Sequence, residues 1–192
     1  MAPNNRQNID TQPHRKLKYD STLLKSLYFD IFTSWIEKKN KFHYNTTTIP
    51  YDINLLYHAS GDGNTNTAFH SKCDNKGATI VVIKVANSQQ IVGGYNPFSW
   101  GSSNTYKSTK DSFVFSFTNK DDLQSAKVGY SNGDQYSVGG FADYGPLFGV
   151  GNYLRFYNGT WYSDPSSSYS KVDMPANNFK ADDYEVFQVV KK

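Results

Sequence analysis

The chain has 192 residues, of which 38% are hydrophobic and 16% are aromatic, and it carries a net charge of +3. This length is enough for one domain with its own core, and the aromatic content argues against a disordered chain and favours β-strands. The weak net charge argues against specific nucleic-acid binding. A single cysteine excludes an internal disulfide, and the N-terminus shows no apolar signal region, so we expect a cytoplasmic, or alternatively nuclear, protein.

The N-terminal segment, residues 1–19, is polar and contains two prolines and the basic cluster HRKLK. We expect it to be a flexible tail or linker, and this composition suggests that the chain is cut from a longer protein. The cluster could contact nucleic acid or acidic lipid, but a solvated linker is the simpler interpretation. No apolar run reaches the ~20 residues that span a bilayer, so we expect no membrane insertion. The domain itself is predicted to cover residues 20–192.

Two helices are predicted in the first half of the chain. The first, at about residues 21–39, would begin at a capping Asp20 or Ser21 and opens the domain with a broad apolar stripe that needs a covering partner. The stripe recurs at steps of three and four residues, at Leu24, Leu27, Ile31 and Trp35. A shorter helix is predicted at about 66–75, with Gly77 as its C-cap.

Strands are predicted where short apolar or alternating runs lie between turn residues. These runs are residues 52–60, 78–85, 91–95, 111–117 and 184–190. The run at 111–117 alternates Phe with Ser and Val, which predicts a half-buried strand. Asn158 and Gly159, between aromatic runs, predict a type I′ hairpin turn. The pattern predicts a mainly β (α+β) fold, a β-sandwich of two antiparallel sheets flanked by a few short helices.

The segment AFHSKCDNKG, residues 68–77, holds the only cysteine of the chain. Cys73 and His70 are three residues apart, which would suit a catalytic thiol pair. However, the C-terminal end of a helix and the adjacent Asp74 disfavour a thiolate, and two ligands are too few for a structural zinc site. The simpler interpretation is that Cys73 packs beside Phe69 as a small apolar residue.

The stretch DGNTN resembles the start of a calcium-binding loop. It places Asp62, Asn64 and Asn66 at alternating positions, as an EF-hand loop does. The sixth position would be Thr67 rather than glycine, and the twelfth would be Cys73 rather than glutamate. A turn followed by a helix cap, in which these side chains bond backbone amides, explains the same residues. No metal site and no cofactor are therefore predicted.

The remaining motifs give no convincing active site. FGVGN, residues 148–152, supplies only G-x-G and neither nucleotide-binding pattern, and no G-x-S-x-G occurs. The adjacent carboxylates at 182–183 are interpreted as a solvated turn. No catalytic residue is predicted, which favours a binding or adaptor module over an enzyme.

Several motifs taken together resemble a TLDc domain, in the order and spacing of that family from about residue 21 to the end. They are LLYHASGDG (55–63), FHSKCD (69–74), IVGGY (91–95), GPLFGVG (145–151) and DYEVFQVV (183–190). The preceding helix is similar to the segment that opens the domain in fungal proteins, where it follows BTB or kelch modules. The family-signature positions that the resemblance implies, mostly structural, are Asp62, Gly63, Phe69, His70, Cys73, Asp74, Gly93, Gly94, Gly145, Pro146, Gly149, Gly151 and Glu185.

The resemblance implies a two-sheet β-sandwich that is associated with resistance to oxidative stress. Several members bind the V-type proton ATPase, and no catalytic mechanism is established for the domain. This sequence departs from the family at three places. Gly61 stands where an arginine often precedes the Asp-Gly of the first motif, Leu147 replaces a polar residue, and Asn152 replaces an acidic one. Partner contacts that depend on those groups cannot be carried over.

Three hypotheses for the function remain open. The first is a non-catalytic interaction domain in oxidative-stress protection, with a protein partner that would be the V-type ATPase. The second is a thiol-dependent antioxidant enzyme that uses Cys73 as its redox residue and needs an outside thiol to resolve its sulfenic acid. The third is a lectin-like module in which Trp100 and Trp161 stack on sugars. We expect the first, without enzyme activity.

Overall fold

The computed structural model describes residues 19–151, 153–164 and 167–192, and this part of the chain forms a sandwich of two antiparallel β-sheets. Its helices are α1 (Leu27–Ile36), α2 (Ala59–Asp62) and α3 (Asn66–Cys73), with a 3₁₀ turn at Leu123–Ser125. Its strands are β1 (Tyr51–His58), β2 (Thr79–Val85), β3 (Ile91–Asn96), β4 (Thr105–Lys107), β5 (Phe113–Phe117), β6 (Ala126–Tyr130), β7 (Val138–Gly140), β8 (Leu147–Phe148), β9 (Leu154–Tyr157), β10 (Thr160–Ser163), β11 (Asn177–Phe179) and β12 (Ala181–Lys191). The predicted mainly β class and two-sheet sandwich are confirmed.

Two expectations concern residues outside this part of the chain. Residues 1–18 of the predicted tail lie outside the described residues, and only its last residue is described. Asn152, where the sequence departs from the family pattern, also lies outside the described residues. Tyr19 is described, and its buried ring packs on Phe29 with 4.2 Å between ring centroids. The core therefore begins at least one residue earlier than predicted.

The last strand of the chain completes the first sheet. That sheet has the order β1-β12-β2-β3-β5-β6, and the second has the order β11-β10-β9-β8-β7-β4. Phe187 of β12 pairs with Leu55 of β1 on one side and with Ile80 of β2 on the other. The C-terminal strand β12 therefore lies between β1 and β2, which both come from the first half of the chain, and the first sheet is complete only with it.

Apolar side chains form two cores, one on each face of the first sheet. The inner core lies between the sheets, and the outer core lies between the first sheet and α1. In the outer core, Phe32 and Trp35 of α1 pack on Phe115 and Phe113 of β5, with ring centroids 4.8 and 5.9 Å apart. The molecule is therefore layered as helix, sheet and sheet, which supplies the partner that the apolar stripe of α1 requires.

Strand β5 is buried on both faces, so the prediction of a half-buried strand is wrong. Its phenylalanines belong to the outer core, while Val114 belongs to the inner core. Ser116 is also buried, and its hydroxyl donates to the backbone carbonyl of Asp173 at 2.7 Å. The alternating side chains of β5 therefore point into two different cores, and neither face of the strand is exposed to solvent.

The first helix is shorter than the predicted 21–39, because α1 begins at Leu27 and ends at Ile36. Ser21 does not cap it. Its hydroxyl instead accepts from the amide of Leu24 at 2.9 Å and donates to the carboxylate of Glu185 at 2.6 Å. The polar residues before the helix therefore dock onto the sheet instead of forming another helical turn.

The predicted helix at 66–75 is α3, which ends at Cys73, and Gly77 is not its C-cap. The cap position is Asp74, whose extended backbone forms a bridge with Trp100. The amide of Asn75 then donates to the carbonyl of Trp100 at 3.2 Å. The chain leaves the helix early because its backbone pairs with another segment.

Of two turns that the sequence predicts, one forms and the other is part of a strand. Asn158 and Gly159 have φ angles of 45° and 74°, the pair of positive values that a type I′ turn requires, so this prediction is confirmed. Strand β12 begins at Ala181, so the carboxylates at 182–183 lie in a strand, and the predicted solvated turn is wrong. Asp183 lies 2.7 Å from Nε2 of His58.

Candidate functional site

Helix α3 carries the FHSKCD motif and is anchored by its apolar side chains. It begins after Thr65, whose hydroxyl accepts from the amide of Ala68 at 3.1 Å. Phe69 packs edge-on against Trp100 with 5.6 Å between centroids, and the Cys73 side chain is fully buried in the same inner core. Desolvation by burial, followed by the charge of Asp74, raises the pKa of the Cys73 thiol. The thiol is therefore protonated and inaccessible.

His70 joins α3 to the loop at 141–146. Its Nδ1 atom lies 2.8 Å from Oδ1 of Asp74, and its Nε2 atom lies 2.7 Å from the carbonyl oxygen of Tyr144 and 3.1 Å from that of Phe141. All three partners are oxygen atoms, one from a carboxylate and two from backbone carbonyls, so each ring nitrogen of His70 lies beside at least one hydrogen-bond acceptor. His70 is therefore a structural clamp between a helix and a loop.

The GPLFGVG motif continues the clamped loop into the second sheet. A Cβ atom at Gly145 would lie 2.6 Å from Cδ1 of Phe156, so this close approach requires glycine. The carbonyl of Pro146 accepts from the amide of Phe156 at 3.0 Å. Gly149 and Gly151 follow with φ angles of 78° and 70°, in the left-handed region that glycine favours. The glycines of this motif therefore allow a close contact and two left-handed backbone conformations, and the motif carries no reactive side chain.

The two glycines of the IVGGY motif lie where neighbouring atoms crowd β3. A Cβ atom at Gly93 would lie 2.0 Å from the carbonyl oxygen of Val81, and one at Gly94 would lie 2.7 Å from Cζ of Phe148. Gly94 therefore lets the two sheets approach each other. This pair lies in the sandwich, apart from α3, and serves packing.

Asp62 is the last residue of α2, and Gly63 follows it with a φ of 101°. The carboxylate of Asp62 accepts from the amide of His58 at 3.0 Å and lies 2.8 Å from Nζ of Lys72. The hydrogen bond from Lys72, followed by the one from the His58 amide, lowers the pKa of this carboxyl. The carbonyl of Gly63 accepts from the hydroxyl of Tyr57. Within the described residues, no three His, Cys, Asp or Glu side chains are grouped to hold a metal.

Glu185 is a buried carboxylate in the middle of β12. Its Oε1 atom accepts from the amide of Thr22 at 2.7 Å and from the hydroxyl of Thr22 at 2.9 Å, and its Oε2 atom accepts from the hydroxyl of Ser21 at 2.6 Å. These charge-assisted bonds fasten the segment before α1 to the first sheet. Glu185 is therefore a docking residue for that segment.

One open surface remains beside α3, and we call it the α3 groove. It is a polar depression of about 700 Å³ between the start of α3, the clamped loop and the β9–β10 hairpin, lined by Thr65, Asn66, Thr67, Ala142, Asp143, Tyr144, Arg155, Tyr157, Asn158 and Tyr162. The side-chain amide of Asn66 donates to the carbonyl of Asp143 and to Oδ1 of Asn158, which links all three segments. The clamp of His70 on the carbonyl of Tyr144 holds the same wall. The groove is therefore supported from within the fold.

Arg155 is the central charged residue of the α3 groove. Its guanidinium carbon lies 4.7 Å from the ring centroid of Tyr144 and 4.7 Å from that of Tyr162, so the cation makes a cation–π contact with each ring. The sequence prediction missed this residue. The sequence does show an arginine within the aromatic hairpin LRFYNGTWY. It does not show that Tyr144, from a separate loop, packs on that arginine.

The predicted signature residues do not form a single site. His70, Asp74, Gly145 and Pro146 support the α3 groove, and Phe69 and Cys73 pack in the inner core. Gly93 and Gly94 lie in β3, Glu185 holds the N-terminal segment, and the remaining four are Asp62 at the end of α2 and Gly63, Gly149 and Gly151, which have positive φ angles. Within the described residues, no helix has the length and apolar character needed to cross a membrane.

The fold places the protein in the class of β-sandwich domains with an exposed polar groove. A family model described as the TLDc domain matches residues 17–190. The chain therefore belongs to the TLDc family, and membership is consistent with a domain related to oxidative stress. A search of curated proteins finds no match to this chain.

Proposed function

We propose that this TLDc domain is a non-catalytic protein-interaction module that acts in oxidative-stress protection by binding the V-type proton ATPase. The observation that carries the proposal is the α3 groove, a surface of tyrosine, arginine and asparagine side chains held in place by buried contacts. Tyrosine and arginine are the residues that dominate binding energy at protein interfaces. The direction towards the proton pump comes from the family resemblance alone.

Two buried groups support an interaction module over the alternatives. The thiol of Cys73 has no exposed surface, and burial raises its pKa, whereas a peroxide-consuming cysteine needs an accessible thiolate. Trp100 and Trp161 are 2% and 1% exposed, so neither ring can stack on a sugar. The indole of Trp100 is further committed to the hydroxyl of Thr79 at 2.7 Å.

The test is a binding titration of the 192-residue chain against purified V-type ATPase, with ATP hydrolysis followed in parallel. We expect saturable binding at micromolar concentration and a change in ATPase activity or subunit release. A Cys73→Ala variant is the matched control, because it should bind the pump as the unmodified chain does. Absence of binding by the unmodified chain contradicts the proposal. Peroxide consumption that disappears in Cys73→Ala would favour the thiol enzyme instead.

A further inference from the structure

We propose that the α3 groove binds a carboxylate side chain from an acidic segment of a protein partner, with Arg155 as the residue that receives it. This inference rests on the proposed interaction function and names the chemistry of the partner. It follows from the state of Arg155, from the residues around it and from the single carboxylate that the groove already contains.

Arg155 carries a cation that forms no ion pair with another of the described residues. The guanidinium carbon lies 4.7 Å from the ring centroids of both Tyr144 and Tyr162, and within the described residues the buried Nε atom has no hydrogen-bond partner. A guanidinium that contacts two rings in this way loses little conformational freedom when it binds, and its planar fork matches the two oxygens of a carboxylate. An anion from outside the domain would supply the ion pair that the described residues do not.

The surroundings of Arg155 suit a segment of protein. The groove is open and lined mainly by polar side chains, unlike the enclosed apolar pockets that hold small ligands. Helix α3 starts at its rim with Asn66 and Thr67, and the N-terminal end of a helix favours negative charge. Tyr157, which is 39% exposed, adds an aromatic surface beside the cation. A peptide segment with one acidic side chain can contact the polar lining, the start of α3 and the ring of Tyr157 at the same time.

The charge of Asp143 distinguishes a carboxylate from a phosphate. This exposed residue lines the same groove, and only its backbone carbonyl is used, as the acceptor for Asn66. Arg155 and Asp143 together leave the groove close to neutral. A singly charged carboxylate tolerates the neighbouring negative charge better than a doubly charged phosphate does. The site therefore favours glutamate or aspartate side chains.

The experiment follows the side-chain Nε–H resonance of Arg155 and the backbone amides of the whole chain by ¹⁵N NMR during titration. The probes are an acetylated, amidated tetra-glutamate peptide, the matched tetra-glutamine peptide and inorganic phosphate. We expect the glutamate peptide to shift resonances of Arg155, Asn66 and Asn158, and the glutamine peptide to leave them unchanged. Phosphate should bind more weakly than the glutamate peptide.

Two variants should change the binding in opposite directions, and a third is their control. Arg155→Gln should weaken binding of the glutamate peptide by at least about tenfold, since it removes the charged fork. Asp143→Asn should strengthen it by about threefold, because a like charge disappears from the groove. Lys39→Gln removes the same charge as Arg155→Gln at an exposed position outside the groove, and it should leave the affinity within about twofold. A purely structural role for Arg155 would not produce the gain in Asp143→Asn.

The outcomes separate this inference from the proposed function. Peptide-induced shifts spread over the surface lysines, equal binding by Arg155→Gln, or tighter binding of phosphate would overturn the groove assignment. If the chain binds the V-type ATPase and Arg155→Gln binds it equally well, the interaction function stands and the groove assignment fails. If the glutamate peptide shifts Arg155 but the pump is not bound, the groove assignment stands and the pump is the wrong partner.

Discussion

The hydroxyl of Ser21 donates a 2.6 Å hydrogen bond to Oε2 of Glu185, although the two residues lie near opposite ends of the chain. Thr22 bonds the other oxygen of the same carboxylate through both its amide and its hydroxyl. The carboxylate is fully buried, so these donors replace the water that it would otherwise need. The segment before α1 and the last strand of the first sheet are therefore one structural unit.

Replacing Glu185 with Gln should lower the free energy of unfolding by about 2 kcal/mol, since hydrogen bonds to a charged acceptor are lost and an NH₂ group faces the former donors. Urea unfolding at pH 7 measures the difference. Asp52→Asn is the matched control, because its carboxylate is 63% exposed and lies 3.8 Å from the exposed Nζ of Lys192, and the change should cost less than about 0.5 kcal/mol. Equal stability of the Glu185 variant and the unmodified chain would contradict the docking role.

The clamp of His70 gives a second prediction. His70→Ala removes the contacts to Asp74 and to the carbonyls of Phe141 and Tyr144, and it should lower the free energy of unfolding by about 2 kcal/mol. Hydrogen exchange should also become faster at the amides of Tyr144 and Gly145, which lie in the loop that the imidazole holds.

The matched control for His70→Ala lies on the same helix. Ser71→Ala removes only an exposed hydroxyl that bonds the carbonyl of Ala68, so its effect should stay within about 0.5 kcal/mol. Unchanged exchange at the loop amides in His70→Ala would show that the loop holds its shape without the clamp.

Strands β1, β2, β3, β5 and β12 and the β9–β10 hairpin could be predicted from sequence because their signals are local, whereas β4, β6, β7, β8 and β11 were not predicted. An apolar run of β-branched residues predicts a buried strand wherever it lies, and Asn158-Gly159 adopts positive φ angles that few other pairs tolerate. The alternation in β5 was equally clear, but alternation reports two different faces without saying what covers each. The face of β5 that carries Ser116 is covered by the segment around Asp173, which lies far along the chain.

The failures share a cause, which is competition from a distant partner. Ser21 is a good helix cap by local chemistry, yet its hydroxyl binds Glu185. Gly77 is a good C-cap, yet the chain leaves α3 earlier because Asn75 pairs with Trp100. The α3 groove was missed for the same reason, since its wall at Arg155 becomes distinctive only when a tyrosine from another loop packs on it.

The glycine pair of β3 gives a third prediction. Gly93→Ala should lower the free energy of unfolding by about 3 kcal/mol, because its Cβ would lie 2.0 Å from a backbone oxygen of the neighbouring strand, which cannot rotate away. Gly101→Ala is the matched control, since no atom lies within 4 Å of the added methyl group. Thermal unfolding followed by circular dichroism compares the two variants. A Gly93 variant as stable as the Gly101 variant would refute the close approach of β2 and β3.

The burial of Cys73 gives the last prediction, which concerns the thiol chemistry left open by the sequence. Because burial raises the pKa of the thiol and excludes reagent, iodoacetamide at pH 8 should leave native Cys73 unmodified and should label it only once denaturant unfolds the domain. The matched control is Ser71→Cys in a Cys73→Ala background, which places a thiol two residues away on the exposed side of α3 and should react without denaturant. Labelling is quantified by intact-mass spectrometry. Rapid labelling of the native chain would mean that α3 opens far more readily than its packing on Phe69 and Trp100 allows, and it would restore Cys73 as a redox candidate.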